Sequence, residues 1–156
     1  SRYVTTVANS GTCYDLTLID QVKDVNGNVI LDNHAKVRNT VNIANSTWKA
    51  VHNGMYRVVN GSRSSIGSMF SGMKVKIAGK TGTAQQSKLH ANHAYFVSYA
   101  PYKNPEISVT CVIPNGFTSS NAAQTARDVY KYYFSKNKKK VSGKIKMPES
   151  NTTHTD

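Results

Sequence analysis

Acidic side chains are scarce in this sequence: eight Asp and Glu stand against 20 Lys and Arg, leaving a net charge of +12. Cysteine is sparser still, with Cys13 and Cys111 far apart and no Cys-x-x-Cys, which excludes a metal or redox site of that pattern. No run approaches ~18 consecutive apolar residues, so no transmembrane helix lies within these residues. No charged-then-apolar leader opens the sequence, and it starts at Ser1-Arg2-Tyr3 without Met. What is present is an ordinary globular interior. The hydrophobic share is 38%, with nine Tyr, four Phe and one Trp, which excludes a disordered chain. A length of 156 residues allows one domain with a modest core.

The excess positive charge raises a nucleic-acid reading, and its distribution weakens that reading. Part of it sits in one stretch, at Lys136, Lys138, Lys139, Lys140, Lys144 and Lys146. The remainder is scattered, with no Arg stripe interleaved with aromatics. The stretch reads first as a solvated terminus outside the fold, giving a division into a domain at 1–135 and a basic, disordered tail at 136–156. A nucleic-acid arm and attraction to an anionic envelope are the alternatives. Cys111 alternates with Ile107, Val109 and Ile113, which favours a buried free thiol over a disulfide to Cys13. His90 and His93 flank a strand start without a clear third ligand. They read as surface-loop residues, and neither a metal nor another cofactor is expected.

Hydrophobic spacing sets the order of elements. Tyr3, Val4, Val7 and Ala8 recur at helical spacing and stop at Gly11, a helix entered part-way. Leu16 to Lys23 and Asn28 to Leu31 flank Asp24-Val25-Asn26-Gly27, where Asn-Gly favours a tight hairpin. Asn45 to Val59 carries Trp48, Val51, Met55, Val58 and Val59 on one face of a helix, with Gly54 inside it. The Gly- and Ser-rich stretch from Gly61 to Gly72 reads as a surface connection or a mobile flap. Val75 to Gly79 is a strand-like run. His93 to Ala100 and Ile107 to Ile113 alternate with period two around Pro101–Pro105, a second hairpin. Thr118-Ser119-Ser120-Asn121 caps a helix with a core-facing stripe of Ala122, Ala126, Val129, Tyr130 and Tyr133. Consecutive strands flanked by helices predict an α+β fold, an antiparallel sheet packed with helices.

The strand-like run is closed by Lys80-Thr81-Gly82-Thr83-Ala84-Gln85. A cation, two hydroxyls and a bare backbone position can line a cleft that holds a carboxylate-bearing peptide. Lys-Thr-Gly is the third signature of enzymes that acylate a serine with D-alanyl peptides or β-lactams. Gly54-Met55, His93-Ala94-Tyr95-Phe96-Val97-Ser98-Tyr99-Ala100-Pro101 and Arg2-Tyr3 through Gly11 stand around it in matching order. In these features residues 1 to 135 resemble class B, monofunctional penicillin-binding proteins.

The resemblance implies the C-terminal half of the penicillin-binding/serine β-lactamase-like transpeptidase fold. It also implies a D,D-transpeptidase that cross-links peptidoglycan stem peptides through an acyl-serine and is acylated by β-lactams. The nucleophilic Ser-x-x-Lys and the Ser-x-Asn loop are expected before Ser1, so the upstream half of the domain is the first partner. A cell-wall synthesis complex outside the bacterial membrane, anchored by a segment elsewhere, is the implied setting; nucleic acid is not. Lys80 is expected to anchor the second-signature serine, and Thr81 and Thr83 to donate hydroxyls to the substrate carboxylate. Gly82 is expected to leave room for the substrate along the strand edge, and the Thr83 N–H to face the acyl oxygen. Alternation puts Lys80 and Gly82 on one face and Thr81 and Thr83 on the other. An edge strand with a twist or bulge near Gly79 or Gly82 is therefore required. His90, Asn92 and the Gln85–Asn92 connection are read as surface, with the rim of the site as the alternative. A serine β-lactamase, a β-lactam sensor, a basic module for anionic polymers and a non-acylating scaffold are the rival functions.

A sheet cut from a larger domain leaves strand edges and apolar faces exposed. The isolated chain is accordingly expected to be unstable, and denaturant titration checks this. Reversible, cooperative unfolding would argue instead that 156 residues form a complete domain.

Overall fold

The computed structural model describes residues 1–135; the basic segment 136–156 lies outside the described residues. Helix α1 (Arg2–Ala8) leads into β1 (Thr12–Tyr14), β2 (Gln21–Lys23), β3 (Val29–Asp32) and β4 (Val37–Thr40). Helix α2 (Asn45–Asn60) and a 3-10 turn at Gly67–Phe70 follow. The chain then runs through β5 (Ala78–Ala84), β6 (His93–Ala100), β7 (Ile107–Ile113) and helix α3 (Ser119–Tyr133). Strands β5, β6 and β7 form one antiparallel sheet in that order, so β5 is an edge. The other strands pair as two small ladders, β1 with β4 and β2 with β3.

The sheet is covered on both faces, because β6 alternates two apolar sets. Ala94, Phe96 and Ala100 point to α3, where they meet Ala122, Ala123, Ala126 and Tyr130. Tyr99 points the other way and packs with Ala78, with Val4 and Val7 of α1, and with Trp48 and Met55 of α2. Helix α2 serves both sides. Its Trp48 and Met55 join the second cluster, while Val58 and Val59 join the first, so it crosses the free edge of β5. The Asn60 side-chain amide fastens this crossing by donating to the Ile77 carbonyl at 2.7 Å.

Several expectations shift by a residue or two. The helical stripes are narrower than the sequence pattern: Val51 is 37% exposed and Val129 41%, while Ala123 is fully buried in Val129's stead. The strand carrying Lys80 begins at Ala78, not Val75, so the signature lies inside β5 and not at its end. Before it, the Lys76 carbonyl accepts from the Tyr102 N–H (2.7 Å), a single bond beyond the end of the ladder at Ala78 and Tyr99. Both cysteines are free thiols, Cys13 buried and Cys111 half-buried.

The hairpin β2–β3 forms where Asp24-Val25-Asn26-Gly27 predicts it. The Asp24 carboxylate accepts from the N–H groups of Asn26 (2.9 Å) and Asn28 (2.8 Å) and from the Asn28 amide. Those bonds hold its carboxyl below the ordinary value of 3.8. The hairpin packs appreciably on no other element, and Leu18, Val25 and Ile30 stand in solvent.

Beneath the sheet, the Tyr130 hydroxyl donates to Ser98 Oγ (2.9 Å), and Ser98 donates onward to the Val109 carbonyl (3.2 Å). Burial pushes the Tyr130 phenol well above its usual value of 10.0, and burial with the neighbouring Tyr102 pushes Tyr99 up to about 12. Both phenols are protonated in either state below pH 10, where their contribution to stability is complete. Above pH 10 the unfolded chain releases protons that the folded one retains, so stability falls as pH rises through about 12. Melting temperatures of the folded domain between pH 9 and 12 should decline, and Tyr130→Phe should flatten that decline. At neutral pH the same substitution should cost about 1 kcal/mol, the scale of one buried hydrogen bond. An unaltered alkaline profile would contradict the buried phenol.

Candidate active site

Cross-strand pairing fixes which way each signature residue faces. Strand β5 pairs with β6 from Ala78↔Tyr99 to Ala84↔His93 without a register shift. Lys80 lies opposite Val97 and Gly82 opposite Tyr95, on the face of α1 and α2; Thr81 and Thr83 lie opposite Phe96 and Ala94, on the face of α3. The expected edge position holds. The expected bulge is absent: no slip occurs at Gly79 or Gly82, and both sets of side chains flank the free edge from opposite faces.

Gly79 is what lets this strand lie so close to the core. A Cβ there would stand 2.5 Å from the Phe96 ring and 3.1 Å from the Ser98 Cβ. Phe96 is fully buried and stacks at a tilt on Phe70, so the ring has nowhere to go. Gly82 is less confined: its nearest neighbour would be the Tyr95 Cβ at 3.3 Å. Gly79, which alternation marks only as a place for a bulge, is required instead by packing: it lies opposite Ser98 and diagonal to the Phe96 ring.

Of the four signature residues, Thr81 is half-buried and lines a cleft of about 550 Å3. Lys80 and Thr83 are exposed. The Lys80 amine has no carboxylate partner among the described residues and donates to the Thr81 carbonyl at 2.6 Å. The far wall of the cleft is the last turn of α2 with the connection that follows, including Arg57, Arg63 and Ser65. That connection is pinned, in contrast to the mobile-flap alternative. Gly61 N–H donates to the Arg57 carbonyl (2.9 Å), Ser64 Oγ donates to the Val58 carbonyl (2.6 Å), and Ile66 is buried beneath. A Cβ on Gly61 would stand 2.5 Å from the Arg57 carbonyl oxygen, so only glycine makes this return.

The connection after β5 is tied down elsewhere. His93 exchanges a hydrogen bond with Gln86 (2.9 Å) and accepts from the Asn115 N–H at 3.0 Å. His90 is exposed, and no three His, Cys, Asp or Glu side chains cluster among the described residues.

The bare spacing of the other two signatures does recur within the chain, and the structure gives each instance a different place. Ser46 and Lys49 sit in the first turns of α2, whereas the part near Thr81 is Gly54 to Ser65. At ~1.5 Å per residue, Ser46 is roughly 18 Å along the helix from Val58. Ser71 and Lys74 line a separate cleft with Lys131 and Phe134. Ser135 lies at the far end of α3, with Lys138 outside the described residues. Ser119-Ser120-Asn121 opens α3, and the Asn121 amide is committed to the Gly116 carbonyl at 2.9 Å. None of the described side chains among these lines the Thr81 cleft.

Gly79→Ala should destabilise the folded domain by about 1–3 kcal/mol, the scale of an overpacked core. Gly82→Ala should cost under ~1 kcal/mol, because only a few tenths of an ångström separate it from ordinary contact. Denaturant midpoints of the two variants check the ranking, and equal losses would contradict it.

Residues 1–131 match the family described as the penicillin binding protein transpeptidase domain. The peptidoglycan D,D-transpeptidase MrdA of Haemophilus influenzae is 40% identical over 110 residues, 61% of this chain and 17% of that protein. Penicillin-binding protein 2B of Streptococcus pneumoniae is 32% identical over 145 residues, 85% of this chain and 21% of that protein. Its solved structure from strain R6 superimposes with a TM-score of 0.73 at 30% identity, over 86% of this chain and 24% of that one. The chain thus spans about a fifth of the length of these relatives.

Proposed function

The chain belongs to the penicillin-binding protein transpeptidase family, on its class B side, with that family's α+β fold; on that premise we propose that it forms the Lys-Thr-Gly wall of a peptidoglycan D,D-transpeptidase. The observation that carries this reading is the edge of β5, free among the described residues, with Thr81 on a cleft that no described carboxylate lines. A peptide ending in a carboxylate can lie along such an edge as an added strand while its charge meets hydroxyls and cations.

The nucleophile in this reading is the serine of a Ser-x-x-Lys in the upstream half of the same domain. Its Oγ bonds to the carbonyl carbon between the two terminal D-alanines, the C–N bond breaks, and the departing D-alanine takes up a proton. The amine of a second stem peptide then attacks the ester, and the serine recovers its proton as the cross-link forms. A β-lactam enters by the same first step. The Lys80 amine, now resting on the Thr81 carbonyl, turns to the serine of the Ser-x-Asn loop and orients the substrate carboxylate. The Thr81 and Thr83 hydroxyls donate to that carboxylate. The Thr83 N–H donates to the carbonyl oxygen as negative charge builds there, which is where preorganised donors lower a barrier most. Gly82 keeps the edge bare.

No described helix is long and apolar enough to cross a membrane. In this reading a segment elsewhere anchors the enzyme at the outer face of the bacterial membrane, within a cell-wall synthesis complex.

Fluorescent penicillin tests the assignment. The full-length protein should label covalently, and residues 1–156 alone should not, although they include Ser46 and Ser71 at the bare signature spacing. In the full-length protein Lys80→Ala should slow acylation ~100-fold, the scale of one lost electrostatic contact in the transition state. Gly82→Val should block acylation, and Thr83→Ala should do less because its backbone donor survives. Labelling of the isolated chain, or wild-type acylation by Gly82→Val, overturns the reading.

A further inference from the structure

The wall opposite Thr81 holds two cations that the transpeptidase chemistry above does not use. Arg57, in the last turn of α2, and Arg63, two residues after the Gly61 return, both line the cleft. Neither has a hydrogen-bond or ion-pair partner among the described residues. The contrast with Arg38 and Arg127 is direct, since those pair with Asp15 and Asp128. The Ser62 and Ser65 hydroxyls on the same wall have no partner among the described residues, whereas Ser64 is spent on the Val58 carbonyl. Gly54 adds a bare stretch of helix, with nothing within 4 Å of where a Cβ would be.

Two guanidinium groups in one cleft repel each other unless an anion joins them. The loop that holds Arg63 is rigid, because Gly61 N–H and Ser64 Oγ fasten it to α2 and Ile66 is buried below. The backbone that carries both cations is therefore fixed before any ligand arrives, which limits the ordering cost to the two side chains. A guanidinium binds a carboxylate through paired N–H donors, the geometry this residue type serves best.

We propose that Arg57 and Arg63, with Thr81 across the cleft, form a carboxylate subsite for the peptide lying along the free edge of β5. This rests on the transpeptidase reading for the peptide's identity, though the subsite itself stands on the cleft. The carboxylate comes either from the C-terminus of that peptide or from an acidic side chain further back along it. In either case the arginines set which acyl donors bind, and they do so without touching the reacting carbonyl.

Fluorescence anisotropy on the full-length protein separates these sources with three dansyl-tagged peptides. They are D-alanyl-D-alanine, its C-terminal amide, and D-glutamyl-D-alanyl-D-alanine amide. Whichever carboxylate is recognised, its peptide should bind roughly 10- to 100-fold tighter than the dipeptide amide, as charged hydrogen bonds warrant. Arg57→Ala with Arg63→Ala should shrink that gap several-fold, leaving only the share held by Lys80, Thr81 and Thr83, and the Lys pair should restore only part of it, since an ammonium lacks the paired donors. Because both side chains are exposed and unpaired among the described residues, melting temperatures should hold, and Arg63→Ala alone tests the subsite if the double variant does not fold. No gap in the wild type, or a gap that survives undiminished in Arg63→Ala and in the double variant, overturns the subsite. Penicillin labelling reads the acylation separately: a labelled protein without a gap sinks the subsite and the carboxylate roles of Thr81 and Thr83 but not the acyl-serine chemistry, and an unlabelled protein with the gap sinks only the transpeptidase reading.

Discussion

An edge strand carries backbone donors and acceptors that must find water, a cover or a guest. In this chain the edge is β5, paired with β6 over its whole length on one side and free on the other. The rest of the structure supports that condition. Phe96 and Tyr99 lock β6 from opposite faces, α2 crosses the edge and is tied to Ile77 through Asn60, and the Gly61 return builds the facing wall. The strand is thereby rigid from behind while its outer edge faces a cleft. Such a combination suits an enzyme that lays a peptide against a strand, because the guest supplies the missing ladder and the protein moves little.

Much of this was legible in the sequence, and for identifiable reasons. Period-two alternation over His93–Ala100 and Ile107–Ile113 gives the second hairpin to the residue, since β6 buries Ala94, Phe96 and Ala100 on one face and Tyr99 on the other. Asp24-Val25-Asn26-Gly27 gives the first, because local hydrogen bonds to Asp24 suffice without tertiary help. Lys80-Thr81-Gly82-Thr83 marks the site strand because few other settings want a cation, hydroxyls and a bare position in a row.

The remainder depends on contacts that no local pattern encodes. Val51 and Val129 keep helical spacing yet stay partly exposed, while Trp48 and Ala123 are buried on the same helices. Gly79 reads as an ordinary small residue until Phe96 is set beneath it. Arg57 and Arg63 read as scattered charge in a basic chain; their meaning comes from a chain reversal at Gly61 that sets both opposite Thr81. The bulge expected from alternation was unnecessary, because a free edge is reached from both faces of the strand.

Hydrogen exchange along β5 tests the central claim most directly. Amides of Ala78 to Ala84 are followed in the full-length protein before and after saturation with a β-lactam. A guest held along the free edge predicts that protection rises within Lys80–Ala84 while β7, on the far side of the sheet, is unchanged. Acylation that leaves Lys80–Ala84 exchanging as before would contradict the account, because the substrate would then lie somewhere other than along this strand.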